Sequence, residues 1–356
     1  MKKFANIALI LLIFFATIVV VGCTLYNINI GPVSRDKELK EVVIKEGETF
    51  LTIAPTLKEN NLIKSEFFYK LYIKLFKPDT FEAGVYQLSE NMGVKKIVEE
   101  ISNGSNYNQD IIKITFVEGK NMRYIASVIA ENTNNTEEDC FDLLSDENYI
   151  DSLIQKYWFL TDEIKNTKIY YPLEGYLFPD TYEFLNKNVT VEEIFEKMLD
   201  NTETKLESLK QEIEASGYTV HEILTLASIV ELEGASSDDR ASVAGVFYNR
   251  LNAGWTLGSD ITGYYGAKMD DWTNGLGEHV DDCNGYNTRG TCVLGLPVGP
   301  VCNPGVESIE ATINPTVHDY YYFVADCSGK TYLNKNSSGH EATINKLIRD
   351  NNWCDS

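Results

Sequence analysis

Glu231 and Glu233 close a mostly apolar stretch running from Thr219 to Gly234. A carboxyl at the edge of an apolar helix holds its proton more tightly than one in water, as a general acid must. The spacing predicts such a helix. Thr219 followed by Glu222 is a capping-box pair. Ile223, Leu226, Ala227 and Val230 fall at i, i+3, i+4 and i+7, one buried face. Gly234 supplies a stop. Glu231 sits one turn beyond Ala227, on the margin of that face, whereas Glu233 points about 200° further round the axis. On this stretch alone, a solvated carboxylate ending a core helix fits better than a general acid.

Other chemistries have less to work with. The four histidines (His221, His279, His318, His340) make no HExxH and the seven cysteines no CxxC, so neither a zinc site nor any other cofactor is expected. No Cys–His pairing, GxSxG elbow or glycine-rich phosphate loop is present, which leaves carboxylate chemistry. Asp239 to Leu251 reads as a second helix. Beyond it, Leu257–Thr262, Tyr286–Thr288 and Gly295–Gly305 are short polar motifs bracketed by Gly and Pro, the kind of fixed loop from which sites are built.

Taken together, these motifs are specific. Leu226-Ala-Ser-Ile-Val-Glu231, Val243-Ala-Gly-Val-Phe-Tyr-Asn-Arg-Leu251, Ser259-Asp260, Tyr286-Asn-Thr288, Gly295-Leu-Pro297, Asn303-Pro-Gly305 and Tyr322-Phe-Val-Ala325 resemble the MltG (YceG-like) endolytic murein transglycosylases. Upstream, Leu173-Glu-Gly-Tyr-Leu-Phe-Pro-Asp-Thr-Tyr182 matches another hallmark of that family. The resemblance implies cleavage of the MurNAc-β-1,4-GlcNAc bond within glycan strands, leaving 1,6-anhydro-MurNAc ends and terminating the elongation of nascent strands. Glu231 would be the one catalytic residue, first acid and then base. Asp260, Tyr286, Asn287, Thr288 and Asn303 would bind sugar hydroxyls and N-acetyl groups. Glu233, Asn249 and Arg250 would support them. The implied partners are peptidoglycan strands, the membrane and peptidoglycan synthases (penicillin-binding proteins). Three features depart from the family: Gly258-Ser-Asp-Ile-Thr262 replaces its Gln-Ser/Thr-Asp-Pro-Thr, Gly339 stands where an acidic residue is usual, and residues 268–292 form an Asp- and Gly-rich insertion. Two other classes stay open: a hydrolytic muramidase using Glu231 and Asp260, and a non-catalytic wall-binding protein.

Positioning such a site takes a sizeable scaffold, and 356 residues at 44% hydrophobic suffice for two globular units. A net charge of −22 argues against nucleic acid or anionic headgroups as partners and fits a glycan. Lys2 and Lys3 precede an apolar run from Phe4 to Val21, long enough with its flank to span a bilayer and to leave the rest of the chain outside the cytoplasm. Val20-Val-Gly-Cys23 also resembles a lipoprotein cleavage box; an uncleaved anchor is the favoured reading. The expected architecture is α+β: an anchor or signal (1–26), a linker (27–40), a small LysM-like α/β subdomain (41–107), a second α/β subdomain (108–168) and a larger mixed α+β catalytic domain (169–356). The small subdomain reads as a strand from Val42, helices over 49–60 and 65–76, and a strand over 84–88. Its start, Val43 to Ala54, loosely matches a LysM module, for which glycan binding and a spacer role are equally open. Glu46-Gly47, Ile53-Ala54, Leu57 and Asn60 recur 72 residues later as Glu118-Gly119, Ile125-Ala126, Ile129 and Asn132, a strand–turn–helix unit used twice, with the boundary at 105–110. Tyr176, Phe178, Tyr182 and Phe184 alternate as a strand would. Six cysteines besides Cys23 suit an exported chain, and the short Gly-containing loop between Cys283 and Cys292 makes theirs the expected disulfide.

Overall fold

The computed structural model describes residues 2–45, 47–78, 81, 83–104, 107–108, 111–234, 236–273 and 275–353. Glu46, most of the expected boundary at 105–110 and Cys354 lie outside them. The fold is α+β, with short strands among many helices, and it divides into two compact units. One comprises residues 1–112 and 183–187, the other 113–182 and 188–356. Most of the expected second subdomain, 108–168, falls in the same unit as most of 169–356.

In the first unit, helix α1 (Lys2–Ile30) precedes strand β1 (Leu39–Ile44), helices α2 (Ala54–Glu59) and α3 (Glu66–Phe76), strand β2 (Gly84–Ser89), helix α4 (Val94–Asn103) and strand β3 (Tyr107–Asn108). β1 and β2 pair antiparallel from Leu39↔Ser89 to Ile44↔Gly84. Val42 and Ile44 point inward while Leu39, Glu41 and Val43 point out, the period-two pattern of a half-buried strand. Residues 12–30 of α1 are long and apolar enough to cross a membrane, and Tyr26 and Ile30 near its end pack on the unit's core. The first expected helix is shorter than its pattern. Thr49 and Thr52 spend their hydroxyls on each other's backbone in a turn, and the helix opens only where Pro55 fits its first turn.

The division falls near strands β4 (Ile112–Thr115) and β5 (Thr181–Phe184). The second unit holds helices α5 (Met122–Asn132), α6 (Glu137–Ser145), α7 (Glu147–Lys156), α8 (Val191–Ser216), α9 (Val220–Glu233), α10 (Ser237–Asn252), α11 (Asp260–Gly266) and α12 (Val306–Ile313). A hairpin of β6 (Tyr322–Ala325) and β7 (Thr331–Asn334) and helix α13 (Ser337–Arg349) complete it. The internal echo is structural: β1–Gly47–α2 and β4–Gly119–α5 are both strand, turn, helix, and both glycines have positive φ (82° and 73°). The aromatic alternation forms a strand only over β5. Tyr176, in a turn, and Phe178, in irregular chain, are buried outside it, since Pro179 lacks the N–H a ladder needs.

Candidate active site

The expected cap starts α9: Thr219 accepts from the Glu222 N–H and Glu222 accepts from that of Thr219. Along one face of α9, polar atoms dock the loop before α12. His221 lies between the Tyr176 hydroxyl (2.8 Å) and the Val298 carbonyl (2.9 Å). Ser228 Oγ accepts from the Val301 N–H, and the buried Cys302 thiol donates to the Ser228 carbonyl. Glu231 continues that stripe at i+10 from His221.

Glu231 does not end in solvent. Its side chain is 6% exposed and pairs with Arg240 Nη2 through Oε1 at 2.8 Å. Its Oε2 accepts from the Gly305 N–H at 3.0 Å. The other arm of the Arg240 guanidinium reaches Glu307 at 2.8 Å. A third carboxyl arrives from far upstream. The Gly119 N–H donates to the Asn303 carbonyl and the Asn303 N–H to that of Lys120, each at 2.9 Å, laying the 118–120 loop along residue 303. Glu118 then presses on Gly305, where a Cβ would collide with its carboxyl. Much of the Glu118 side chain is exposed. Its proton affinity is nonetheless raised, by local burial first and then by the charge of Glu231, with Arg240 opposing.

Glu233 faces away, as the helix geometry requires. It accepts from Ser259 Oγ at 2.7 Å, and burial raises its proton affinity against that hydrogen bond. Asp260, at the start of α11, pairs with Arg289 Nε at 2.8 Å and interacts with Glu233. Asp260 is thus grouped with Glu233, on the other side of α9 from the Glu231 carboxylate.

The remaining expected binding residues are brought near these elements, but their polar atoms are spent inside the protein. Tyr286, Asn287, Thr288 and Asn303 are all fully or almost fully buried. The Tyr286 hydroxyl accepts from the Tyr170 N–H. The Asn287 amide donates to the Val280 and Asp282 carbonyls. Thr288 shares a hydroxyl hydrogen bond with Thr262 and accepts from the Ser259 N–H. Asn303 accepts from the Leu177 N–H and donates to the Lys120 carbonyl and Glu174. Asn249 donates to the His318 and Tyr320 carbonyls, and Arg250 to those of Tyr321 and Leu257, tying α10 to both segments. The Cys283–Cys292 disulfide forms as expected and closes the loop carrying Tyr286 to Thr288.

Sequence spacing gives no role to Glu118, Glu174, Arg240 or Glu307. Glu174 lies in the Leu173–Tyr182 motif and Glu118 in the internal echo; no local signal singles out Arg240 or Glu307. Glu174 is 1% exposed and gathers three donors: the Met122 N–H (3.0 Å), the Tyr265 hydroxyl (2.8 Å) and the Asn303 amide (3.1 Å). Burial outweighs these hydrogen bonds and pushes its carboxyl up to about 7. Among the described residues no group of three or more His, Cys, Asp or Glu is placed to hold a metal ion. What the arrangement offers is proton transfer between carboxyls at the end of α9.

Comparison with known proteins agrees over most of the chain. The model of the YceG-like family matches residues 42–346. The endolytic murein transglycosylase of Bacillus subtilis (strain 168) is 33% identical over 339 residues, covering 94% of this chain and 92% of that one. The protein of the same name from Streptococcus pneumoniae serotype 2 (strain D39 / NCTC 7466) is 32% identical over 326 residues. That match takes in 87% of this chain but only 59% of the longer pneumococcal protein. The crystal structure of a YceG-like protein from Listeria monocytogenes superposes with a TM-score of 0.62 at 30% identity, covering 86% of this chain and all of that one.

Proposed function

Because this chain belongs to the YceG-like family, we propose that it is an endolytic lytic transglycosylase of peptidoglycan with Glu231 as its acid and base. The relatives named endolytic murein transglycosylase support the reaction class. The observation that carries the residue assignment is the setting of Glu231: a carboxyl withdrawn from solvent, fixed by Arg240 and the Gly305 N–H. A group so fixed can meet a bound strand in one orientation, which is how positioning lowers a barrier.

In this reading the site's proton goes to the oxygen between MurNAc and GlcNAc as the C1–O bond breaks. The MurNAc C6 hydroxyl then attacks C1 and returns its proton to the carboxylate, so no water is consumed. Ordinary glycosidases need a second carboxylate flanking the bond to supply or activate the nucleophile. Asp260 is poorly placed for that task, because it is paired with Arg289 beside Glu233. The muramidase alternative is disfavoured accordingly. Asp260 and Arg289, both about half exposed, remain the candidates here for contacting sugar hydroxyls. Tyr286, Asn287, Thr288 and Asn303 act by shaping the loops.

Residues 12–30 of α1 anchor the protein in the cytoplasmic membrane with the second unit outside. The helix runs on past Cys23, which suits an uncleaved segment better than a lipidated terminus. Protease added to wall-stripped cells should digest the second unit, and protection would refute this topology. Mass spectrometry of digested peptidoglycan tests the reaction. Anhydro-MurNAc ends are expected; reducing ends would establish a hydrolase instead.

A further inference from the structure

We propose that helix α3 is a lipid-binding surface: its outer side lies in the interface of the bilayer that α1 crosses and gives the first unit a second hold on the membrane. This rests on the anchor reading of α1, and the partner is the phospholipid bilayer itself, acyl chains and headgroups.

α3 is apolar on two sides. Tyr69, Tyr72 and Ile73 face the unit's core. Phe67, Leu71 and Leu75 follow one another at i, i+4 and i+8, a single stripe on another side of the helix. Phe67 is 69% and Leu75 63% exposed, and Leu71 is half-buried. A helix surrounded by water turns one apolar side inward and polar residues outward; one that is apolar on both sides has a second apolar environment to meet. The charges along its edges have the sign that headgroup phosphates attract. Residues 64–77 carry four lysines and one glutamate, net +3 (4 − 1), in a chain of net −22. That glutamate, Glu66, is paired with Lys70 at 2.9 Å. Lys74 and Lys77 are exposed, with stems long enough to lie along acyl chains while their ammoniums reach phosphate.

What brings a bilayer to this stripe is α1. At roughly 1.5 Å per residue, a helix entering the hydrocarbon at Phe4 has crossed its roughly 30 Å by about residue 24. Tyr26 then stands at the outer interface, the depth that tyrosines favour. At this level α1 meets the rest of the first unit: Tyr26 and Ile30 pack on its core, and Lys64 Nζ donates to the Ile28 carbonyl at 3.0 Å. The Tyr26 ring centre is 6.4 Å from that of Phe68, which is 5.2 Å from that of Phe67. A continuous run of aromatic side chains thus leads from the end of the membrane span to the stripe on α3, and lipid around Tyr26 reaches Phe67 as well. A tether alone lets a unit pivot on its anchor; a second apolar contact holds it against the bilayer.

The test is photocrosslinking in the full chain, reconstituted in vesicles of phosphatidylethanolamine and phosphatidylglycerol. Benzoylphenylalanine replaces, one at a time, Phe67, Leu75, Phe15 in α1, and Val317, which is 96% exposed in the second unit. All four side chains are exposed, so each labelled chain should keep the wild-type unfolding midpoint. After irradiation, mass spectrometry should find phospholipid joined to positions 67 and 75, as it is to 15, and absent from 317. Lipid at 15 but at neither 67 nor 75 overturns the proposal, as does equal labelling at 317. A second copy of the chain joined at 67 or 75 in place of lipid also overturns it and makes the stripe a self-association surface. The probe at 15 keeps the two failures apart: no lipid there would sink the anchor reading, and this proposal with it.

Discussion

Glu174 offers a sharp physical prediction, because a carboxyl that is 1% exposed and lifted to about 7 must couple folding to pH. The lift from its ordinary 4.5 to about 7 is worth about 3–4 kcal/mol. The folded chain binds this proton more tightly than the unfolded one. The stability it contributes is therefore fully present below about pH 4.5 and is lost as pH rises to about 7. Glu174→Gln removes the titration. It also sets an amide NH2 against one of three donors, Met122 N–H, Tyr265 OH or Asn303 Nδ2, a mismatch costing about 1–3 kcal/mol. Urea unfolding of both proteins in detergent, over about pH 4 to 8, isolates the effect, because other titrating groups cancel in the difference. The wild type's advantage over Glu174→Gln should shrink by about 3 kcal/mol across that range. A pH-independent difference would show that the fold binds the Glu174 proton no more tightly than the unfolded chain does, and the desolvation reasoning would fall with it.

Removing Arg240 leaves Glu231 withdrawn from solvent without its cation, so Arg240→Met should lower stability by about 3 kcal/mol, read as a lower unfolding midpoint. Gly305→Ala puts a methyl where the Glu118 carboxyl lies. That carboxyl is the free end of a flexible side chain, so the thermal unfolding midpoint should change little. Thr219→Ala deletes one half of the α9 capping box and should cost about 1 kcal/mol in denaturant unfolding.

Much of the scaffold was legible because its causes are local. The cap and stop of α9 and the opposite headings of Glu231 and Glu233 follow from spacing along one helix. The Cys283–Cys292 bridge follows from a short loop. The surroundings of Glu231 were not legible. Arg240 follows within one turn of α10, but only the packing of α10 against α9 aims it at the carboxylate. Glu118 arrives through a backbone pairing with Asn303 that no pattern announces. Polar motifs such as Tyr286-Asn-Thr288 read naturally as ligand contacts. Their burial reflects another demand: loops without a ladder need side chains to satisfy their own backbone groups, and Asn287, Thr288 and Asn303 are spent on that.

The most direct test of the central claim is Glu231→Gln assayed on polymeric peptidoglycan, with the products identified by mass spectrometry beside those of the wild type. The substitution keeps the side-chain shape and removes the titrating carboxyl. Activity should fall by roughly 10²–10⁴-fold, as for loss of one general acid–base group, and wild-type digests should end in 1,6-anhydro-MurNAc. Near-normal activity in folded Glu231→Gln would contradict the account.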